Sequence, residues 1–557
     1  MHYPNPIFAR EQWLSLNGRW EFEFDDENRG LKDAWVHRQL AMRIDVPFVY
    51  QSKMASLSDK KGKSISYDGI EPPYHPILWY RRSFELNAID EDEEIILHFN
   101  AVDYKAHIWI NGQLATIHEG GYTPFEVAIS AYVKQGMNSI AVRVEDHHDH
   151  AQPRGKQIWT EKPWGCWYTA SSGIWKDVWL SFTNKAHITA CRVSPDLDKR
   201  VANIELEYSY SVKKGLKLEV ELSYENSVIA TTIYDTQQYR QYLHLHITQP
   251  NGVDDIHAWS PERPQLYDLK LRLYSKDMIL LDEVSTYFGM RKISVRNNQI
   301  LLNNRPLYQR LILDQGYWEE SLLTPPTKEA LRKDLELIKA MGFNGIRKHQ
   351  KVEDPWFYYL ADKMGLLVWA ELPSPYSFST KEVENVQRDM TEMAKALFNH
   401  PSIITWVPFN ESWGIRDVFT DTQQQNFVKS IYYLLKTLDP SRLISGNDGW
   451  EQPITDLCAI HDYDLHDEAG YERKWADFDK LMKSTPSKRQ VYTQGSEYQG
   501  EPVMITEFGG VALQEDVSEG TWGYRNPATT KDELLERLER LLKIITADDR
   551  LQGYCYT

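Results

Sequence analysis

The segment Asn399-His-Pro-Ser-Ile-Ile-Thr-Trp-Val-Pro-Phe-Asn-Glu-Ser-Trp-Gly414 decides how this chain is read. A short apolar run of β type ends abruptly in Asn410-Glu411, where a loop should begin. The same shape returns at 503–510, VMITEFGG, where the run ends in Glu507. Short apolar runs bounded by turn signals read as fully buried strands. Two carboxylates delivered from the C-terminal ends of two such strands meet the demands of glycosidic bond cleavage. One is kept protonated for the leaving oxygen, and the other ionised to attack the anomeric carbon.

Working outward, apolar runs alternate with helical stretches from residue 291 onward. The strand candidates are 307–313, 345–349, 366–372, 403–411, 443–449, 456–463, 503–510 and 551–557. The helical stretches include 327–341, 355–364, 381–399, 422–438 and 531–547. Thr327 precedes one apolar-periodic run and Asp439-Pro440 closes another, which is helix punctuation. Eight strands in α/β alternation predict a (β/α)8 TIM barrel, whose active site lies at the C-terminal ends of its strands. The eighth run closes the sequence, so a truncated barrel without its last helix is expected, marginal as an isolated monomer because apolar surface is left bare.

Ahead of the barrel the periodicity is two. Residues 1–183 hold short alternating runs such as 20–24, 78–84, 95–99 and 107–110, and Asn111-Gly112 marks a hairpin. This predicts a jelly-roll sandwich. Residues 184–290 alternate strictly at 204–212, 217–224 and 266–274, as a small immunoglobulin-like sandwich would. The fold class is therefore multidomain, with two all-β sandwich domains followed by a barrel at 291–557.

Bulk properties narrow the function. Of 557 residues 42% are hydrophobic, yet no run is long enough to span a bilayer, and the N-terminus carries no signal pattern. A net charge of −17 argues against nucleic acid or an anionic membrane as partner. Cys166, Cys191, Cys458 and Cys555 are scattered without metal or disulfide spacing, which fits a cytoplasmic location. The 19 Trp and 32 Tyr suit both sandwich cores and sugar stacking. The acidic and histidine-rich stretch 145–150 looks like a metal site, but adjacent loop side chains seldom converge on one ion; no metal and no cofactor are expected. The neighbouring loop 152–159 carries Arg154 and Lys156, and its default reading is a solvated loop.

NHPSIITWVPFNE closely resembles a signature of family 2 glycoside hydrolases, and ITEFGG resembles the context of that family's nucleophile, 96 residues beyond Glu411. Leu16–Trp20, Trp79–Arg82, Gly120-Gly121-Tyr122 and Ser172–Trp175 resemble its N-terminal sugar-binding domain. The resemblance implies a retaining exo-β-glycosidase with Glu411 as acid/base and Glu507 as nucleophile. It further implies that Asn410 holds a sugar hydroxyl, that Arg347 orients the nucleophile, and that Tyr463 bonds it. His349, in Asn344-Gly-Ile-Arg347-Lys-His349, stands one residue early against the family pattern, and with Trp522 it is a candidate substrate contact. Glu371 is expected to pair with Arg347, while Asn447 and Asp448 are candidate subsite residues. β-Galactoside is the first sugar expected, with β-glucuronide and β-mannoside behind it. The competing class is an inactive carbohydrate-binding protein; homo-oligomer formation is left open.

Overall fold

The computed structural model describes residues 2–67, 71–247, 256–464, 468–483, 489–514 and 527–557. Alternating sequence in the first part builds a sandwich. Its seven-stranded antiparallel sheet runs Ser58–Asp59, Met42–Val46, Gly18–Phe24, Ile77–Leu86, Gly136–Glu145, Lys105–Ile110, Gln113–Glu119. A four-stranded sheet of Trp13–Ser15, Val178–Asn184, Glu93–Phe99 and Phe125–Ala128 closes over it. Trp20, Phe22, Tyr80, Leu97, Phe99, Ile108 and Val142 fill the space between. The Asn-Gly turn has φ of 51° and 82° at Asn111 and Gly112. Two positive values are what a tight hairpin of this twist requires.

The second sandwich pairs three strands (Ile188–Asp196, Val201–Tyr208, Arg240–His246) with four (Ser227–Asp235, Lys217–Tyr224, Tyr267–Tyr274, Leu280–Phe288). The run expected at 204–212 stops as a strand at Tyr208. A turn follows, in which the Val212 amide donates to the Ser209 carbonyl, and Val212 still reaches the core.

All eight barrel runs form strands in one parallel sheet. In chain order they are Gln309–Asp314, Gly345–Lys348, Leu367–Glu371, Ile403–Val407, Leu443–Ile444, Cys458–His461, Val503–Phe508 and Leu551–Tyr556. The first pairs with both the second and the eighth, as closure demands. Between the fifth and sixth strands no helix intervenes, and single bonds carry the join, such as Gln452 Nε2 to the Ala459 carbonyl at 3.0 Å. Helices Lys328–Ala340, Pro355–Met364, Thr380–Leu397, Thr422–Leu438, Glu468–Trp475, Phe478–Lys483 and Lys531–Ala547 ring the sheet. Thr327 Oγ1 accepts from the Ala330 amide, and Asp354 caps the helix that Pro355 opens. A short ribbon, Ile293–Arg296 and Gln299–Leu302, packs with Trp259 against the inner barrel residues Leu311, Leu367, Trp369 and Met504. The sequence pattern did not separate this ribbon from the barrel.

Candidate active site

Beyond the fourth strand the chain runs on as Pro408-Phe409-Asn410 and bridges to Asp448 after the fifth. The Asp448 amide donates to the Phe409 carbonyl and the Glu411 amide donates to the Asp448 carbonyl, each at 2.9 Å. Glu411 and Ser412 then both adopt the left-handed region, with φ of 51° and 57°. Two consecutive non-glycine residues there are uncommon and strained, a condition that clusters at functional sites. Ser412 is held in this turn: its amide donates to Asn447 Oδ1 and its hydroxyl to Glu451 Oε2. The turn aims Glu411 at the barrel mouth.

Glu507 sits one residue before the end of the seventh strand and is almost wholly buried. One oxygen of Glu411, one oxygen of Glu507 and a ring nitrogen of His461 all lie within 4.8 Å of one another. The two glutamates face each other across one cavity of about 500 Å³. Arg347, fully buried, holds the arrangement from beneath. Its Nη1 donates to Glu507 Oε1 at 3.0 Å and faces Asp448 Oδ1 at 2.9 Å. Its Nη2 donates to Asn410 Oδ1 at 2.6 Å, and its Nε to Glu371 Oε2 at 3.0 Å. Tyr463 donates its hydroxyl to Glu507 Oε2.

The pairing of Arg347 with Glu371 is therefore as expected, and Arg347 and Tyr463 both bond Glu507. Asn410 keeps its Nδ2 buried and without a partner among the described residues. His349 lines the cavity, with its Nδ1 beside Glu371 Oε1 at 3.0 Å. Burial, together with Lys156 and Arg347 nearby, keeps its imidazole neutral, well below the usual range. Burial also pushes the Glu371 carboxyl up to about 7, against the pull of Arg347. Trp522 lies outside the described residues.

His461 and Asp448 are the residues that the sequence underplayed. His461 ends the sixth strand two residues before Tyr463, so its place at the C-terminal end of a barrel strand was the available signal. Its Nδ1 lies 2.9 Å from Glu411 Oε1 and its Nε2 lies 2.8 Å from Asp448 Oδ1. Burial would hold Glu411 up, but the bond to His461 and the charges of His461 and Lys156 bring it down to about 2. Burial lowers His461, yet Glu507, Asp448 and Glu411 together raise it to about 10. Among the described residues, Glu411, His461 and Glu507 are the one set close enough to share a metal ion. Within the stretch 145–150, Asp146 stands against Arg154 at 2.9 Å and Glu145 against Arg143.

The cavity's other wall comes from the first sandwich. Lys156, Trp164, Cys166, Trp167 and Tyr168 line it opposite Glu411, Tyr463 and Glu507. Backbone bonds from Arg154 and Gly155 to the Ser374 carbonyl pin this loop to the mouth. Lys156 Nζ lies 3.3 Å from Cys166 Sγ and 5.3 Å from the Trp167 ring centroid. No carboxylate among the described residues comes within 4.0 Å of it.

Three models of one family match the chain in order. They are the sugar binding domain of glycosyl hydrolases family 2 over 13–183, glycosyl hydrolases family 2 over 186–291, and that family's TIM barrel domain over 293–521. A putative β-glucuronidase of Formosa agariphila is 27% identical over 458 residues, covering 79% of this chain and 51% of that protein. A β-galactosidase of Thermoanaerobacter pseudethanolicus is 28% identical over 388 residues, 68% of this chain and 49% of that protein. The chain thus spans about half the length of these curated relatives. In fold, it matches a β-glucuronidase from Ruminococcus gnavus solved with D-glucuronic acid, at a TM-score of 0.75 and 20% identity, covering 100% of this chain and 92% of that one. With models of the family matched in sequence from residue 13 to residue 521, the chain belongs to glycosyl hydrolase family 2.

Proposed function

We propose that this chain is a retaining exo-β-glycosidase, with Glu507 as nucleophile and Glu411 as general acid and then base. The observation that carries the reading is the approach of the two carboxylates to within 4.8 Å, oxygen to oxygen. A retaining pair stands about 5–5.5 Å apart, whereas an inverting pair needs about 6.5–9.5 Å to admit a water between them. Glu507 attacks the anomeric carbon while Glu411 gives its proton to the departing oxygen. Water, activated by Glu411, then breaks the ester. Arg347 and Tyr463 both bond Glu507, which favours its charged form.

The sugar expected from the sequence is a β-galactoside. One feature supports an acidic sugar such as a β-glucuronide instead: Lys156, 6% exposed, brings an ammonium to the cavity with a thiol and an indole beside it and the charge of Glu411 farther off. A buried cation of that kind is best satisfied by an anionic ligand group.

The test is a panel of p-nitrophenyl β-galactoside, β-glucuronide and β-mannoside, followed by trapping with the 2-fluoro analogue of the preferred sugar. Turnover of one glycoside, loss of it in Glu411→Gln and Glu507→Gln, and a covalent sugar on Glu507 by mass spectrometry are expected. A product released with inverted configuration overturns the mechanism, and sugar binding without any turnover overturns the catalytic reading altogether.

A further inference from the structure

An acid that must be protonated to work sits here against a group that favours its ionised form, and the geometry explains how. His461 is fully buried. Its Nδ1 lies 2.9 Å from Glu411 Oε1, and its Nε2 lies 2.8 Å from Asp448 Oδ1, nearer than the Arg347 guanidinium at 3.3 Å. With Glu411 ionised, the ring stands between two acceptors, which favours a proton on each nitrogen and hence an imidazolium. Glu507 Oε1 stands 3.6 Å from the same Nε2. Space for the ring is provided by Gly449, at φ 104°, since a Cβ there would lie 2.7 Å from His461 Nδ1. Asp448 is itself fixed, accepting from the Ser445 hydroxyl at 2.7 Å and facing Arg347.

Resting on the assignment of Glu411 as acid/base, we propose that His461 and Asp448 form a positioning pair whose imidazolium sets the acid strength of Glu411. Among the described residues, the charged groups facing His461 include Glu411, Asp448, Glu507 and Arg347; the titratable groups facing Glu411 from other elements include Lys156 and His349. As the proton leaves Glu411 for the glycosidic oxygen, the carboxylate that forms is met by a charge already in place, with no rearrangement of the site. Glu411 is thereby a stronger acid than a carboxyl of equal burial. The same pairing makes it ionise early as pH rises. Loss of the Glu507 charge in the covalent intermediate removes a neighbouring anion, which favours the ionised form of Glu411 when that group must act as base.

The test is the pH profile of kcat/KM in His461→Gln and Asp448→Asn, measured with a 2,4-dinitrophenyl and an alkyl glycoside of the preferred sugar. The wild type is expected to lose activity on its alkaline limb at lower pH than either variant. Removing the imidazolium moves that limb up by about one pH unit or more, and Asp448→Asn moves it in the same direction by less. The alkyl glycoside should lose about tenfold or more beyond the dinitrophenyl glycoside, which needs little acid help. An unmoved limb with equal loss on both substrates overturns the proposal and leaves His461 a packing residue. Full alkyl glycosidase activity in Glu411→Gln would instead overturn the assignment on which it rests.

Discussion

The two sandwiches belong to the same structural class but meet opposite ends of the barrel. The first lies over the mouth: Arg154 and Gly155 bond Ser374, Trp167 donates to the Tyr376 hydroxyl at 2.6 Å, and Lys176 donates to the Glu353 carbonyl. Those partners all follow the second and third strands. The second sandwich meets the floor, where residues precede the strands. Trp259 Nε1 donates to the Asp362 carbonyl at 2.8 Å, Tyr287 to Asp362 Oδ2 at 2.8 Å, and Arg291 to the Pro401 and Ile403 carbonyls. Barrel chemistry is confined to the C-terminal face, while the opposite face serves stability. One sandwich is thereby part of the cavity, and the other is a foundation for it.

Breaking the mouth contact should have the larger consequence. Arg154 and Asp146 form a pair in which each side chain is 1% exposed. Arg154→Met strands a carboxylate in the interior, and removing one partner of a buried pair costs about 3–5 kcal/mol. The loop that carries Lys156 and Trp167 should loosen with it. Unfolding midpoints and kcat/KM should fall together, the latter about tenfold or more. Lower stability with unaltered kcat/KM would mean that the loop shapes the protein without serving the cavity.

At the floor the two readouts should separate. Trp259→Phe keeps a large ring but leaves the Asp362 carbonyl without its donor, at a cost of about 1–3 kcal/mol. Below the unfolding transition, kcat/KM should stay within about twofold of the parent, since Trp259 does not line the cavity. A tenfold drop would show that the floor transmits to the site and would erase the distinction between the two sandwiches.

The same contrast explains what could be read from sequence. All eight barrel strands were legible because a buried parallel strand is an uninterrupted apolar run, and Glu411 and Glu507 stood out because each ends one. Arg347 and Tyr463 were reached through resemblance and are found bonded to Glu507. The bond between His461 and Asp448 was not legible. It depends on a fifth and a sixth strand joined by single hydrogen bonds rather than a ladder, and on Gly449 leaving room for a ring. Lys156 was visible only as part of a basic loop, because nothing local in 152–159 says that its lysine is buried against a barrel that begins only at residue 291. Trp522 falls outside the described residues, so its expected contact with sugar keeps the standing it had in the sequence.

A last residue separates closeness to the mouth from service to it. Glu382, in the first turn of helix Thr380–Leu397, stands at the spacing of a capping box with Ser379, whose hydroxyl accepts from the Glu382 amide at 3.1 Å. Its carboxyl does not complete the box. Both oxygens are buried without a partner among the described residues, and Oε1 lies where a Cβ on Gly414 would approach within 2.7 Å. Burial pushes this carboxyl up to about 9, so the folded protein holds a proton there through neutral pH. With the folded value above the unfolded one, the unfolded chain releases that proton first. Stability contributed by the neutral form is therefore full below the unfolded value and is lost as pH rises toward the folded one. Glu382→Gln should leave Tm nearly unchanged at pH 4 and raise it at pH 8, with kcat/KM kept within about twofold because the side chain does not line the cavity. An equal Tm shift at both pH values would mean that Glu382 is not held neutral, and a collapse of kcat/KM would place it in the site alongside Glu411.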